Sequence, residues 1–299
     1  MPHCARTARW WGKRLAPEAD PAGAEGARGA SNDASAAGAV SHREALARQF
    51  GENARAYAVS RTHAEGGTRD LLLERLQPVA DETLLDIACG AGGMTLAAAP
   101  FVERVIALDL ASEMLAALAL GARRAGIANV TRVVADAQEL PLRDRSVELV
   151  TARMAPHHFA DPAGAVREMA RVLGRGGRLG IADGTVPDDP ELDEFINRID
   201  VLHDPTTVRN YSAREWRGFF EGAGLRVDSV EEEAFDLAEG RLLGEWVARS
   251  AGSTIVFEEI RRLLLNAPVA IQAALRVRAE GDDVRFDLPK IVIVGTKVE

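Results

Sequence analysis

A glycine-rich segment follows an apolar run early in the chain. Residues 84–95 have the sequence LLDIACGAGGMT, which contains Asp86, Ala88, Gly90, Ala91 and Gly92. A strand that enters a glycine-rich turn and then a helix lets backbone N–H groups approach a ligand that side chains would block. The segment therefore predicts a loop that binds a nucleotide-type cofactor. The alternative is an ordinary tight turn between a strand and a helix.

Three aspartates end three successive apolar runs. They are Asp86, Asp109 and Asp136. Asp109 lies 19 positions after Gly90, where a carboxylate can accept hydrogen bonds from both hydroxyls of a ribose. Asp136 is placed to accept the exocyclic amine of an adenine. Solvation alone does not account for this repeated placement, so we expect the three carboxylates to face one ligand.

The choice of cofactor depends on two of these positions. A dinucleotide fingerprint requires Gly or Ala at the sixth position of G-x-G-x-x-G, and counting from Gly90 that position is Thr95. This disfavours a nicotinamide oxidoreductase, which is kept as an alternative. Asp86 precedes the glycines and is placed to bind a cationic amino group. S-adenosylmethionine (SAM) carries such a group and NAD does not, so the pattern favours SAM.

Short runs rich in Leu, Ile and Val alternate with helix-like stretches through this part of the chain. The predicted strands span 83–88, 105–109, 130–135, 147–152 and 178–182. Two helices precede them, one from a capping box at Ser41 and Glu44 to about Ser60, and one over 67–76. Strands that alternate with helices predict an α/β fold with a parallel sheet covered on both faces. Ligands of such sheets bind at the carboxyl ends of the strands.

Segments 84–93, 105–110, 133–142 and 147–162 resemble motifs of class I SAM-dependent methyltransferases, in particular the ubiquinone and menaquinone C-methyltransferase group. The resemblance covers roughly 49–184 and 205–227. It implies a Rossmann-like sheet with helices on both faces and a helical cap over the active site. By this resemblance Asp86 and Gly90 to Gly92 contact the methionine moiety, Asp109 the ribose, and Asp136 with Ala137 the adenine. The predicted cofactor site also includes Ala88, Leu110, Met114 and Arg153, the last near the methionine carboxylate or the acceptor.

Other parts of the chain also resemble this family. Residues 49–60, including Tyr57 and Ser60, resemble the amino-terminal helix that such enzymes fold over the substrate. Residues 153–159 and 168–177 resemble the signature after the fourth strand and the turn that follows it. Residues 204–216 resemble a late aspartate-proline, arginine and tryptophan signature. Two positions depart from the family pattern: Ala88 replaces a glycine, and Thr207 stands where a histidine is expected, which argues against an acid–base role there.

Candidate catalytic groups are scarce. Transfer of a methyl group from a sulfonium mainly requires alignment and exclusion of water, but a carbon or phenol nucleophile must also lose a proton. His157 and His158 are the predicted general bases, because an imidazole pKa near 6.5 suits proton removal at neutral pH. The alternative is that they cap a helix and pack under a loop. His63 and His203 are weaker candidates. No metal site is predicted, because the histidines form no coherent ligand set.

Composition and charge limit the remaining functions. The 299 residues carry a net charge of −9 and a pI near 5.3, which argues against a nucleic-acid substrate. With two cysteines, Cys4 and Cys89, no disulfide framework is expected. No apolar run approaches the roughly 18 residues that span a bilayer, so we expect a soluble, cytoplasmic protein that acts as a monomer or homodimer.

The domain organisation is predicted from the same patterns. Residues 1–40 are expected to be a disordered tail, with a transit-type peptide or a start assigned too far upstream as alternatives. Residues 41–299 form the methyltransferase domain: 41–78 a helical cap, 79–185 the SAM-binding core, 186–280 substrate-cap helices and a late strand, and 281–299 terminal strands. Within the last unit, the resemblance implies that 288–298 is an antiparallel strand at the sheet edge.

The expected function is methyl transfer from SAM to a small, largely apolar acceptor. C- or O-methylation of a quinol, phenol or secondary metabolite is expected. The alternative is a protein that binds SAM without transferring its methyl group, such as a natural-product cyclase.

Overall fold

The computed structural model describes residues 42–54, 66–234, 240–250 and 252–299. These residues all belong to one unit, Ala39–Glu299. Several predictions lie outside the described residues: the tail 1–40, and the positions Ser41, Tyr57, Ser60 and His63. The predicted first helix is described over 42–54, which we call α1, and the predicted second helix is α2, Gly67–Leu76.

Five parallel strands form most of the central sheet. They are β1 Thr83–Ile87, β2 Arg104–Asp109, β3 Val130–Val134, β4 Val147–Arg153 and β5 Leu173–Val186. Their order in the sheet is β3-β2-β1-β4-β5. Every residue of β1 is buried, which fits a strand covered on both faces. β5 is longer than the predicted 178–182, because the predicted turn after residue 171 is part of the strand.

Helices cover both faces of this sheet. On one face α2, α3 (Gly93–Ala98) and α4 (Ser112–Ala125) pack their apolar sides against side chains such as Val105 and Ala107. On the other face α5 (Pro162–Val172) and α7 (Ala213–Gly222) bury Met169, Trp216 and Phe220. Asp161 caps α5, and Ser212 with Glu215 forms a capping box for α7. The predicted α/β fold with helices on both faces is confirmed.

The last strand lies inside the sheet and not at its edge. β11, Lys290–Lys297, pairs antiparallel with β5 on one side and with β7, Leu225–Ala234, on the other. The antiparallel direction agrees with the prediction, but the edge position was wrong: β7 is the strand at that edge. The run Ile291, Val292, Ile293 and Val294 is buried throughout, because helices cover both faces of this strand and a strand flanks each side.

The remaining elements form a cap beside the carboxyl ends of the parallel strands. The cap contains α6 (Pro190–His203), α8 (Leu243–Arg249), α9 (Thr254–Asn266) and α10 (Val269–Ala274). A small antiparallel sheet joins β8 (Arg241–Leu242), β10 (Asp283–Phe286) and β9 (Arg278–Glu280). A two-residue strand, β6 (Tyr211–Ser212), pairs with the end of β5. The predicted terminal unit 281–299 therefore contributes to two different sheets.

The cap has an apolar core of its own. Its buried residues include Leu192, Ile196, Ile199, Leu243, Trp246, Val247, Ile260 and Leu264. Phe195, Leu202, Val256 and Leu263 are partly buried against them. Among the described residues, no helix has both the length and the apolarity that crossing a membrane requires.

Candidate active site

The loop between β1 and α3 has an unusual backbone. Ala88, Gly90 and Gly92 have φ angles of 51°, 54° and 96°, in the left-handed region that favours glycine. A Cβ added to Gly90 would meet no atom within 4 Å, whereas one added to Gly92 would lie 2.2 Å from Cδ1 of Leu118. Gly92 is therefore needed for packing against α4. Gly90 instead keeps open a space at the loop surface.

Asp86 is a buried carboxylate at the end of β1. Its Oδ2 accepts a hydrogen bond from Thr95 Oγ1 at 2.5 Å, and its Oδ1 accepts one from Thr151 Oγ1 at 2.8 Å. Burial raises the pKa of Asp86 to about 6, although both hydroxyls and the charge of Arg153 oppose the rise. Such a site favours a cationic ligand group, which would restore the interactions that the carboxylate lost on leaving water.

Asp109 ends β2 and faces the same loop. Its Oδ2 accepts the Gly90 N–H at 2.8 Å, and its Oδ1 accepts the Ala111 N–H at 2.9 Å. Burial raises the pKa of this carboxyl above its usual value, against the opposing effect of these backbone bonds. Each carboxylate oxygen can accept a second hydrogen bond, so two ligand hydroxyls can be bound at this position.

Asp136 follows β3 and contacts the amino-terminal helix. Its Oδ1 accepts the Gln138 N–H at 2.8 Å, and its Oδ2 forms an ion pair with Nε of Arg43 on α1. The contact with Arg43 was not predicted, because 93 positions separate the two residues.

One cavity of about 650 Å³ joins these groups at the carboxyl edge of the sheet. All of the residues predicted to bind the cofactor line it: Asp86, Ala88, Gly90, Ala91, Gly92, Asp109, Leu110, Met114, Asp136, Ala137 and Arg153. The wall also contains residues that the sequence analysis did not assign to the site, including His42, Arg43, Leu46 and Arg69. Arg153 is buried and its Nε donates to Thr68 Oγ1 at 3.2 Å. The cavity has the size and the mixture of apolar walls and polar anchors typical of a small-ligand site.

His157 lies beside this cavity and is paired with an aspartate. Asp183, fully buried on β5, accepts both the His157 backbone N–H and Nδ1 of its ring, each at 2.6 Å. Burial pulls the pKa of His157 down, but the charges of Asp183 and Asp200 outweigh it and raise the pKa above 6.5. His157 is not among the residues that line the cavity, and its side chain keeps 13% exposure.

His158 lines the cavity itself. Its Nδ1 lies 3.0 Å from the carbonyl oxygen of Thr206, and its ring centroid lies 4.1 Å from that of His157. Burial and the neighbouring His157 lower the pKa of His158 to about 4. Both imidazoles therefore have Nδ1 directed at a protein oxygen. His203, the weaker candidate, stacks on Trp246 at 3.9 Å and hydrogen-bonds Ser250, away from the cavity wall.

Residues 204–216, the late signature, contact His158 and α1 at one end and join α6 to α7 at the other. Asp204 accepts Thr206 Oγ1 at 2.6 Å and Gln49 Nε2 of α1 at 2.7 Å. Arg209 bridges α6 and α7 through Asp193 and Glu215. Thr207, at the position where a histidine was expected, is buried.

Asp183 is the most informative residue that the sequence analysis missed. It lies within β5 near the carboxyl edge of the sheet, where the prediction had already placed three aspartates, so extending the same rule to the fifth strand would have found it. Among the described residues, no three His, Cys, Asp or Glu side chains are grouped as a metal site would require.

The fold and the site define a class I methyltransferase. Residues 85–181 match the family described as "Methyltransferase domain". An uncharacterized methyltransferase, YcgJ of Bacillus subtilis (strain 168), is 32% identical over 253 residues, which cover 83% of this chain and 97% of that protein. The chain therefore belongs to the methyltransferase family.

Solved structures also show that this chain is similar to methyltransferases. The crystal structure of YcgJ matches with a TM-score of 0.71 at 31% identity, over 78% of this chain and 98% of that one. The structure of a putative methyltransferase from Bacillus halodurans C-125 matches with a TM-score of 0.73 at 27% identity, over 77% of this chain and 99% of that one.

A sequence relative has a named substrate. A demethylmenaquinone methyltransferase of Corynebacterium kroppenstedtii is 31% identical over 172 residues, 56% of this chain and 72% of that protein. The predicted resemblance to the quinone methyltransferase group is confirmed.

Proposed function

We propose that this protein is a SAM-dependent methyltransferase whose acceptor is a small, largely apolar molecule. One observation carries the proposal: Asp86, Asp109 and Asp136 lie around a single cavity beside a glycine loop. SAM has one ammonium group, two ribose hydroxyls and one adenine amine. The three carboxylates that could accept these donors follow three neighbouring strands, β1, β2 and β3. Asp86 would bind the ammonium, Asp109 the ribose and Asp136 the adenine.

The other cavity residues complete this assignment. Gly90 leaves room for the methionine chain, and Ala88, Ala91 and Gly92 shape the loop around it. Leu110, Met114 and Ala137 provide apolar walls for the nucleoside, and Arg153 neutralises the methionine carboxylate. When bound, SAM would supply an electrophilic methyl group on a sulfonium. The chain's own task is to align the acceptor with that group and to exclude water from it.

The protonation pattern of the histidine pair favours His157 as the general base. Asp183 accepts the Nδ1 proton, which leaves Nε2 of His157 with a lone pair for an incoming proton. His158 lines the cavity, but a pKa of about 4 makes it a weak base at neutral pH. We propose that His157, held in its tautomer by Asp183, accepts a proton from an acceptor that extends past His158 to Nε2 of His157, and that His158 is a neutral part of the cavity wall.

The acceptor would enter from the side of α1. Leu46 and Phe50 of α1 line the cavity together with Met154 and Phe159, so this wall is apolar. The relative from C. kroppenstedtii acts, by its name, on demethylmenaquinone. We therefore propose a quinol, phenol or similar secondary metabolite as the acceptor, methylated on carbon or oxygen. Residues 79–185 would bind the cofactor, and 41–78 with 186–280 would enclose the acceptor.

Titration calorimetry followed by product analysis tests this proposal. We expect SAM to bind to the purified protein and NAD(H) not to bind. Incubation with SAM and candidate quinols and phenols should then give a product heavier by one methyl group in mass spectrometry. If the protein binds SAM and converts an acceptor without this mass gain, it is a cofactor-dependent cyclase or isomerase and not a methyltransferase.

Variants of the histidine pair test the mechanism. His157→Gln should lower the maximal rate by roughly 10²- to 10⁴-fold with little change in SAM affinity, because a general base acts on the chemical step. His158→Gln is the matched control and should lower the rate far less. Equal rates per folded molecule for wild type and His157→Gln would exclude a base role for His157.

A further inference from the structure

Asp136, the carboxylate proposed to bind adenine, already has a cationic partner within the protein. Oδ1 of Asp136 accepts the Gln138 N–H, whereas Oδ2 accepts no hydrogen bond from the described residues, so Oδ2 is the more open oxygen for a ligand. Oδ2 forms an ion pair with Nε of Arg43, and that buried Nε has no hydrogen-bond partner in the part of the chain that the structure describes. The side chain of Asp136 is 11% exposed, whereas that of Arg43 is 39% exposed. The arginine therefore reaches an almost buried oxygen from the surface of α1.

We propose that Arg43 is an internal ligand of the cofactor site, and that the adenine amine of the cofactor displaces it from Asp136. This inference rests on the proposed function, because it requires Asp136 to bind adenine. Both groups are donors directed at the same oxygen. Arg43 keeps the carboxylate compensated before the cofactor binds, and it opposes any base that cannot replace it as the partner of Asp136.

The remaining contacts of α1 allow this exchange without release of the helix. Gln49 donates to Asp204 at 2.7 Å, His42 Nε2 lies 2.8 Å from the carbonyl oxygen of His158, and the ring of Phe50 packs edge-on against that of His158. These contacts hold α1 beside the histidine pair. Displacement of Arg43 therefore frees one side chain in the first turn while α1 stays on the cavity wall.

Arg43 also gives the site a basis for selecting its base. A 6-amino purine brings a donor to Asp136 and replaces the arginine. A 6-oxo purine brings an acceptor, which the carboxylate repels, so it leaves the pair between Arg43 and Asp136 intact. The competition with Arg43 therefore makes binding of the cofactor depend on the amine and not on the purine ring alone.

Calorimetry with the demethylated cofactor and one analogue of it tests whether the adenine amine displaces Arg43. The ligands are S-adenosylhomocysteine and S-inosylhomocysteine, which differ at position 6 of the purine. The proteins are wild type, Arg43→Gln and the control Arg48→Gln, which removes an exposed arginine of the same helix. Arg43→Gln should bind S-adenosylhomocysteine about two- to fivefold more tightly, the range expected for losing a partly exposed ion pair. It should show no such gain for S-inosylhomocysteine, and Arg48→Gln should match wild type with both ligands.

A second variant separates this inference from the proposed function. In an Asp136→Asn background the gain from Arg43→Gln should disappear, because the competition requires the carboxylate. If Arg43→Gln binds S-adenosylhomocysteine equally or more weakly while wild type binds it well, the cofactor assignment stands and the displacement is wrong. If Asp136→Ala, which removes both acceptor oxygens, binds as wild type does, the adenine assignment and the displacement both fail. Absence of binding to wild type would refute the proposed function itself.

The arginine side chain gives a direct signal. The Nε–H resonance of Arg43, identified as the one missing from Arg43→Gln, should change on addition of S-adenosylhomocysteine and remain with S-inosylhomocysteine. A resonance that is unmoved by saturating S-adenosylhomocysteine would show that Arg43 keeps its place, and would overturn the inference independently of the affinities.

Discussion

Replacing Asp86 by Asn should make the protein more stable and at the same time impair it. Burial raises the pKa of Asp86 from 3.8 to about 6. Each pKa unit corresponds to ~1.4 kcal/mol, so ionising this carboxyl in the folded protein costs ~3 kcal/mol more than in the unfolded chain. Asn has a similar shape and no charge, and the hydroxyls of Thr95 and Thr151 can rotate to suit its amide.

The effect of this substitution depends on pH in a defined direction. Between pH 3.8 and about 6 the unfolded chain has an ionised Asp86 while the folded protein keeps it protonated. The unfolded state therefore binds fewer protons, and the contribution of Asp86 to stability is lost as pH rises through this window. Asp86→Asn does not titrate, so relative to wild type it should be up to ~3 kcal/mol more stable at pH 7.5 and only ~1 kcal/mol more stable at pH 4.5.

Urea unfolding of the ligand-free proteins at the two pH values measures this difference. Asp81→Asn, at an exposed position in the turn before β1, is the control for loss of one negative charge and should leave the stability nearly unchanged. SAM affinity of Asp86→Asn should fall by roughly 10- to 100-fold, because an ammonium loses a charged acceptor. If Asp86→Asn is less stable than wild type at pH 7.5, the hydroxyl hydrogen bonds outweigh the burial of the charge, and the reasoning is wrong.

Three further predictions concern the same cavity. Asp109→Ala should weaken SAM binding at least tenfold, about 1.4 kcal/mol, because a hydroxyl pair loses its acceptor, and unchanged affinity in calorimetry would remove this assignment. Gly92→Ala should lower the thermal midpoint more than Gly90→Ala, because both variants strain a left-handed backbone but only the Cβ at position 92 would also collide with α4. Gly90→Ala should bind SAM poorly, and equal midpoints for the two variants would contradict this reasoning. The rate should rise with pH above 6.5 as His157 loses its proton, and Asp183→Asn should move this rise to lower pH; an unmoved profile would exclude the pairing as its cause.

Local patterns were sufficient to predict the cofactor half of the cavity. Asp86, Asp109 and Asp136 end apolar runs, and parallel strands bring their carboxyl ends to one edge, so the position in sequence determined the position in space. The contact between Arg43 and Asp136 depends on how α1 crosses the finished sheet. No local pattern encodes that crossing, so the sequence alone did not predict it.

The position of the last strand was harder to predict, although a signal existed. Residues 291–294 are four consecutive apolar residues, the pattern of a strand covered on both faces and not of an exposed edge. The resemblance to a family implies an edge position, which this local pattern contradicts. Asp183 lies within a long strand, one residue beyond the predicted end at residue 182, so the rule for strand-end aspartates did not include it.

The interior position of β11 has a consequence for synthesis of the protein. β5 and β7 are neighbours of β11 but do not pair with each other, so each exposes an open edge until β11 has been translated. β11 follows β7 by more than fifty residues, during which the nascent chain carries the two strand edges that β11 later covers. We expect this interval to be the period when the chain most needs protection from aggregation, and the sheet to close by insertion of a strand between two existing ones.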